Sequence, residues 1–128
     1  MRVRIVDVLA VFLGGGLGAT LRYGMSGVMH RFMGSDFPYG TLVVNILGCL
    51  LIGALMSVTE ERILLHPRMR LFLAIGLLGG FTTFSTFSYE TVSLLRSGAF
   101  LYGMLNVLLS VCVCLLATWI GTIIGKII

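Results

Sequence analysis

The sequence predicts an all-α integral membrane protein with four transmembrane helices, the third broken near its middle. Three observations predict it. First, the 128 residues are 58% apolar and only 11% charged, with a mean hydropathy of +1.07; a soluble domain carries roughly 25% charged residues. Second, four apolar stretches fall at about residues 8–28, 40–58, 69–95 and 100–127, separated by short polar segments. At about 1.5 Å per helical residue, each is long enough to cross a ~30 Å hydrocarbon core. Third, the apolar third stretch contains Gly79-Gly80-Phe81-Thr82-Thr83-Phe84-Ser85-Thr86-Phe87-Ser88-Tyr89-Glu90, with two adjacent glycines, five Ser/Thr hydroxyls and a carboxylate. Paired glycines loosen a helix, each costing about 1 kcal/mol against Ala. Ser and Thr can bond the carbonyls that a break frees. Non-helical backbone at membrane depth survives only where protein buries it or a wet cavity meets it. The segment is therefore an interrupted helix whose polar groups hold something small. Phe81, Phe84 and Phe87 recur every three residues and are expected to form a ladder beside the break.

The first span opens after Asp7 and carries Gly14-Gly15-Gly16-Leu17-Gly18, a G-x-x-x-G pattern that lets backbones approach closely. Arg2 and Arg4 before an apolar run mimic a signal peptide, but no small-x-small cleavage site follows, so a retained span is expected. Arg22, near the far end, is either an arginine snorkelling to the interface or a charge that attracts anions or locks a partner. His30-Arg31 and Asp36-Phe37-Pro38 read as a polar loop.

The second span begins at Gly40-Thr41 and holds one strongly polar side chain, Asn45. An amide in hydrocarbon needs partners; Asn45 is either interhelical glue or a donor to an anion. Glu60-Glu61-Arg62, His66-Pro67-Arg68 and Arg70 form the most charged loop, with Pro67 suited to a helix start and His66 read as a solvated loop residue. In the third span Gly76 and Gly80 make another small-x-x-x-small pair. Glu90, past the break, is either an interfacial residue, paired with arginine or solvated, or a vestibule carboxylate. Arg96-Ser97-Gly98 marks a tight turn. In the fourth span Asn106, Ser110, Cys114 and Thr118 recur at four-residue steps, one polar stripe facing protein or water. Gly121 and Gly125 give a further close-packing pair, and Trp119 suits an interface or a packed position.

Four spans return both termini to one side. That side would hold Arg2, Arg4, Arg62, Arg68, Arg70 and Lys126, against Arg31 and Arg96 on the other, which favours cytoplasmic termini. The net charge of +4 reflects topology and headgroup contact, and no nucleic-acid partner is expected because no basic cluster is interleaved with stacking aromatics. Cys49, Cys112 and Cys114 all lie in apolar segments; C-x-C on a helix is poor metal spacing, so membrane packing is the expected role. Both histidines are in loops, which removes nucleophile–base catalysis, and phosphate-cradling motifs are missing: the chain is not expected to be an enzyme. What remains is an inventory of neutral donors and phenyl edges, suited to a small anion. A fixed arginine would bind such an ion too tightly for conduction. Four short helices do not comfortably enclose a pore, so a homodimer is the natural assembly.

The runs Gly40-Thr41-Leu42-Val43-Val44-Asn45 and Gly79-Gly80-Phe81-Thr82-Thr83-Phe84-Ser85-Thr86-Phe87-Ser88, followed by Glu90-Thr91, resemble the Fluc (CrcB) fluoride channels. The resemblance extends over the whole chain, a single four-span domain over residues 1–128. It implies an antiparallel, dual-topology homodimer with two fluoride pathways, exporting fluoride passively across the plasma (inner) membrane of a bacterium or archaeon. It implies that Phe84 and Phe87 present ring edges to the pores, with Asn45 as an amide donor and Ser110, flanked by Asn106 and Cys114, in a polar track on the fourth span. The candidate fluoride pore is Asn45, Phe84, Phe87, Ser110, Asn106, Thr41, Thr83, Thr86 and Arg22. It further implies a structural Na+ at the dimer interface, held by carbonyls of Gly79 and Thr82 from both subunits; a broken helix frees carbonyls, which suit a hard cation. The six-to-two charge bias sits against dual insertion, and the specific Thr-Thr-Phe-Ser-Thr-Phe run is given the greater weight. Two other functions remain open from the residues alone. A proton-coupled small-drug exporter would use Glu90, although such carriers need a mid-membrane carboxylate in the first span; a non-transporting scaffold would use the glycine pairs.

Overall fold

A computed structural model describes residues 2–62 and 65–128; the side chain of Arg62, counted above among the loop cations, lies outside what is described. Helix α1 spans Ile5–Met33, α2 Tyr39–Arg62, α3 Pro67–Arg70, α4 Gly79–Phe81, α5 Phe84–Arg96 and α6 Phe100–Ile127. Leu71–Leu78, between α3 and α4, is π-helical. The third span is thus Pro67–Arg96, made of four pieces, and four stretches of the described residues are long and apolar enough to cross a membrane.

Two boundaries differ from the sequence reading. His30 and Arg31 belong to α1, not to a loop: nothing before Gly34 stops the helix, and Gly34, at φ 82°, ends it with its N–H on the His30 carbonyl. Likewise Glu60, Glu61 and Arg62 form the last turn of α2. Pro67 does start a helix, and His66 caps it, its Nδ1 accepting from the Arg68 N–H at 3.2 Å. Gly98, at φ 84°, makes the turn after α5.

Packing runs along two glycine seams. On the first, α1 lies against the front half of the third span. A Cβ on Gly14 or Gly18 would collide with backbone atoms of Phe72, Leu77 or Phe81, and one on Gly80 with the backbone of Gly15. On the second, α2 lies against α6: Gly53 meets the Thr118 backbone, Gly121 that of Leu50 and Gly125 that of Ala54. Both seams use the small-residue pairs of the sequence, since helices in lipid associate through close van der Waals contact. Past its break the third span changes partner, and α5 packs on α6.

The break itself is displaced from its expected position. Gly79 and Gly80 are helical, and Gly80 serves the α1 seam. The helix opens at Thr82 (φ −83°, ψ 159°) and Thr83 (φ −154°, ψ 115°), both extended. The π-helical turns precede it; single-turn π segments gather at functional sites.

Candidate functional site

The extended pair Thr82-Thr83 is held by side chains that replace helical backbone bonds. Asn45 on α2 accepts from the Thr83 N–H through Oδ1 at 2.8 Å and donates from Nδ2 to the Thr83 carbonyl at 3.0 Å. The Thr83 hydroxyl then caps α5, accepting from the Thr86 N–H at 3.2 Å and donating to the Thr86 hydroxyl at 3.0 Å. In an unbroken helix the N–H of Thr83 would bond the Gly79 carbonyl and that of Thr86 the Thr82 carbonyl. Both donors are diverted, so among the described residues no N–H donates to either carbonyl. These are the two carbonyls named above for a cation. Thr82 itself turns back, its hydroxyl donating to the Leu78 carbonyl at 2.9 Å.

Around the break lies a cavity of about 450 Å3. Its wall includes Asn45, Gly79, Thr82, Thr83, Phe84, Phe87 and Ser110, together with Cys49 and Cys114. Seven of the eleven candidate residues thus share one chamber. Asn45 fastens the break, the glue alternative, and its second N–H has no protein partner among the described residues. Phe84 and Phe87 sit with ring centroids 5.3 Å apart, tilted by 50°. Phe87 is buried, whereas Phe84 is 77% exposed at the rim. The expected three-ring ladder is a pair: Phe81 is buried short of the break, and two extended residues destroy its register with Phe84.

The remaining candidates lie around this chamber. Thr41, one turn before Asn45, donates to the Glu90 carboxylate at 2.8 Å. Both line a second, more polar cavity of about 320 Å3 with His30 and Asp36. Among the described residues Glu90 has no arginine partner, and it is not fully solvated: its other carboxylate oxygen is buried and unpartnered there. Asn106 is 1% exposed and donates to the Thr91 hydroxyl at 2.9 Å; Thr91 in turn donates to the Phe87 carbonyl at 2.8 Å. Ser110 reaches Asn106 only at 3.5 Å, a long bond that leaves its hydroxyl ready to turn toward the cavity. Thr86 stands behind Thr83, and Arg22, half-buried on α1, lines neither cavity. Thr91 is the residue that sequence reasoning passed over. The signal was the amide of Asn106, which in an apolar bundle required a buried partner.

The family described as CrcB-like protein, Camphor Resistance (CrcB), matches residues 9–122. A protein of Geobacter metallireducens named fluoride-specific ion channel FluC is 48% identical over 117 residues, 91% of this chain and 94% of that one. Its namesake in Coxiella burnetii is 48% identical over 122 residues, 94% and 98% of the two chains. That of Geotalea daltonii is 50% identical over 113 residues, 87% and 91%.

Proposed function

The chain belongs to the CrcB-like family, and from that membership we propose that it is a fluoride-selective passive channel, a multi-pass membrane protein and not an enzyme. The observation that carries the reading is the chamber at the break, walled by neutral donors and phenyl rings with no fixed charge. A small anion sheds water only if other dipoles replace it. The free N–H of Asn45, the hydroxyl of Ser110 and the edges of Phe84 and Phe87 supply those dipoles without trapping the ion. Thr41 and Glu90, one turn from Asn45 and Phe87 along their helices, line the second, more polar cavity, which serves as a vestibule.

The working unit is an antiparallel, dual-topology homodimer with two such pathways. The exposure of Phe84 at the rim supports it, because a ring this open in a single chain gains a wall from a second copy. The carbonyls of Gly79 and Thr82 fit a structural Na+ at that interface: both are stripped of helical donors, both border the chamber, and neutral oxygens suit a hard cation. The membrane is the plasma (inner) membrane of a bacterium or archaeon, and the direction of flux follows the fluoride gradient. Against a proton-coupled exporter, the one carboxylate of the first span, Asp7, lies at its edge and pairs with Arg68 at 3.4 Å.

Liposomes carrying the purified protein are expected to release fluoride rapidly while retaining chloride, read with ion-selective electrodes. Equal loss of both anions would sink the proposal. Phe84→Ile and Phe87→Ile keep bulk but lose the ring quadrupole, worth about 1 kcal/mol per contact. Each is expected to slow fluoride efflux about fivefold while the dimer still elutes intact.

A further inference from the structure

Two cysteines occupy the chamber wall on different helices. Cys49 lies one turn before Gly53 on α2, and Cys114 one turn before Thr118 on α6. Gly53 and Thr118 are in backbone contact, and the contacts of Leu50 with Gly121 and Ala54 with Gly125 show the two helices advancing in step. One turn back along the same seam, Cys49 and Cys114 therefore face each other. Both border the cavity of about 450 Å3. Cys112 points the other way and is exposed. The C-x-C pair of the sequence is thus divided: Cys112 faces outward, and the partner of Cys114 comes from another helix.

We propose that Cys49 and Cys114 form a two-thiolate site for a soft, two-coordinate metal cation in the wall of the ion chamber, and that its occupation blocks the chamber. Thiolates select soft cations. Two sulfurs on opposing helices suit linear S–metal–S coordination, which needs no third ligand; among the described residues no group of three or more metal-ligating side chains exists. On binding Hg2+ each thiol releases its proton, and two S–Hg bonds form with no change of oxidation state. The Asn45 amide and the Phe87 ring border the same cavity, so a bound cation stands beside the groups assigned to the anion. The blocking half of the inference rests on the proposed channel function; the binding half does not.

The test uses the full-length protein in chloride-free buffer with mercuric nitrate as the probe. Cys112→Ser removes the outward thiol and serves as the parent. One Hg2+ per chain is expected, read by ultraviolet thiolate-to-metal charge-transfer absorbance. Its resistance to a competing monothiol should be about 100-fold greater than in the parent carrying Cys49→Ser or Cys114→Ser, because the second sulfur binds intramolecularly. Fluoride efflux from parent liposomes should stop at the same stoichiometry. Equal ease of removal from the parent and both derivatives would overturn the site. Efflux that continues at full loading would overturn the block. A parent that binds Hg2+ as expected but never passes fluoride would leave the metal site standing and refute the channel reading instead.

Discussion

Asn45→Asp is expected to abolish fluoride efflux from proteoliposomes. Asn45 does two things with one amide. Its Oδ1 and one N–H pin the Thr83 backbone, and its other N–H is the donor proposed above for the anion. Aspartate retains an acceptor for the Thr83 N–H. It loses both donors and brings a negative oxygen against the Thr83 carbonyl and the entering ion. Two like charges 4 Å apart at an effective dielectric of 20 repel by about 4 kcal/mol, roughly a 1,000-fold drop in occupancy. The measurement is initial fluoride efflux at matched protein density, with gel filtration confirming assembly. Undiminished efflux would show that Asn45 serves only to fasten the break.

Gly18→Leu is expected to prevent assembly altogether. A Cβ at Gly18 meets the Leu77 carbonyl oxygen and, at 2.8 Å, the Phe81 nitrogen. Both are backbone atoms, so no rotamer change relieves the collision. Forcing extra methylenes into a packed interface costs typically 1–3 kcal/mol and more when backbone must move, against a total stability of about 5–15 kcal/mol. The variant should give no monodisperse peak after detergent extraction. Gly16→Ala, two residues away, is the control. Nothing lies within 4 Å of a Cβ there, and it should extract and elute as the parent does. A normal elution profile for Gly18→Leu would mean that α1 and the third span are not in backbone contact.

The glycine pattern shows how far one chain could be read in advance. Gly14, Gly18, Gly76, Gly80, Gly121 and Gly125 were legible as contact points because spacing by four on a helix is a local property. Which pair meets which is not local. The docking of α1 on the third span and of α2 on α6 exists only after the helices are placed side by side. The same division runs through the break. The sequence required one, because hydroxyls and paired glycines in hydrocarbon are otherwise hard to satisfy. It suggested Gly79-Gly80 as the weak point. In the fold both glycines stay helical, Gly80 against Gly15 of α1, and the chain opens at Thr82-Thr83, where Asn45 takes the Thr83 N–H.

Composition and hydropathy, with no tertiary information, determined four spans, the polar content of the third and the stripe on the fourth, since each depends only on periodicity against the bilayer. The fold alone decided that Asn45 is the fastener of the break, that Phe81 leaves the ring pair, that Asn106 is spent on Thr91 and that Cys49 and Cys114 share one cavity wall. The physical reason is that a polar group's role is fixed by its hydrogen-bond partner. In this bundle those partners come from other helices, 15 to 38 residues away for Asn106 and Asn45.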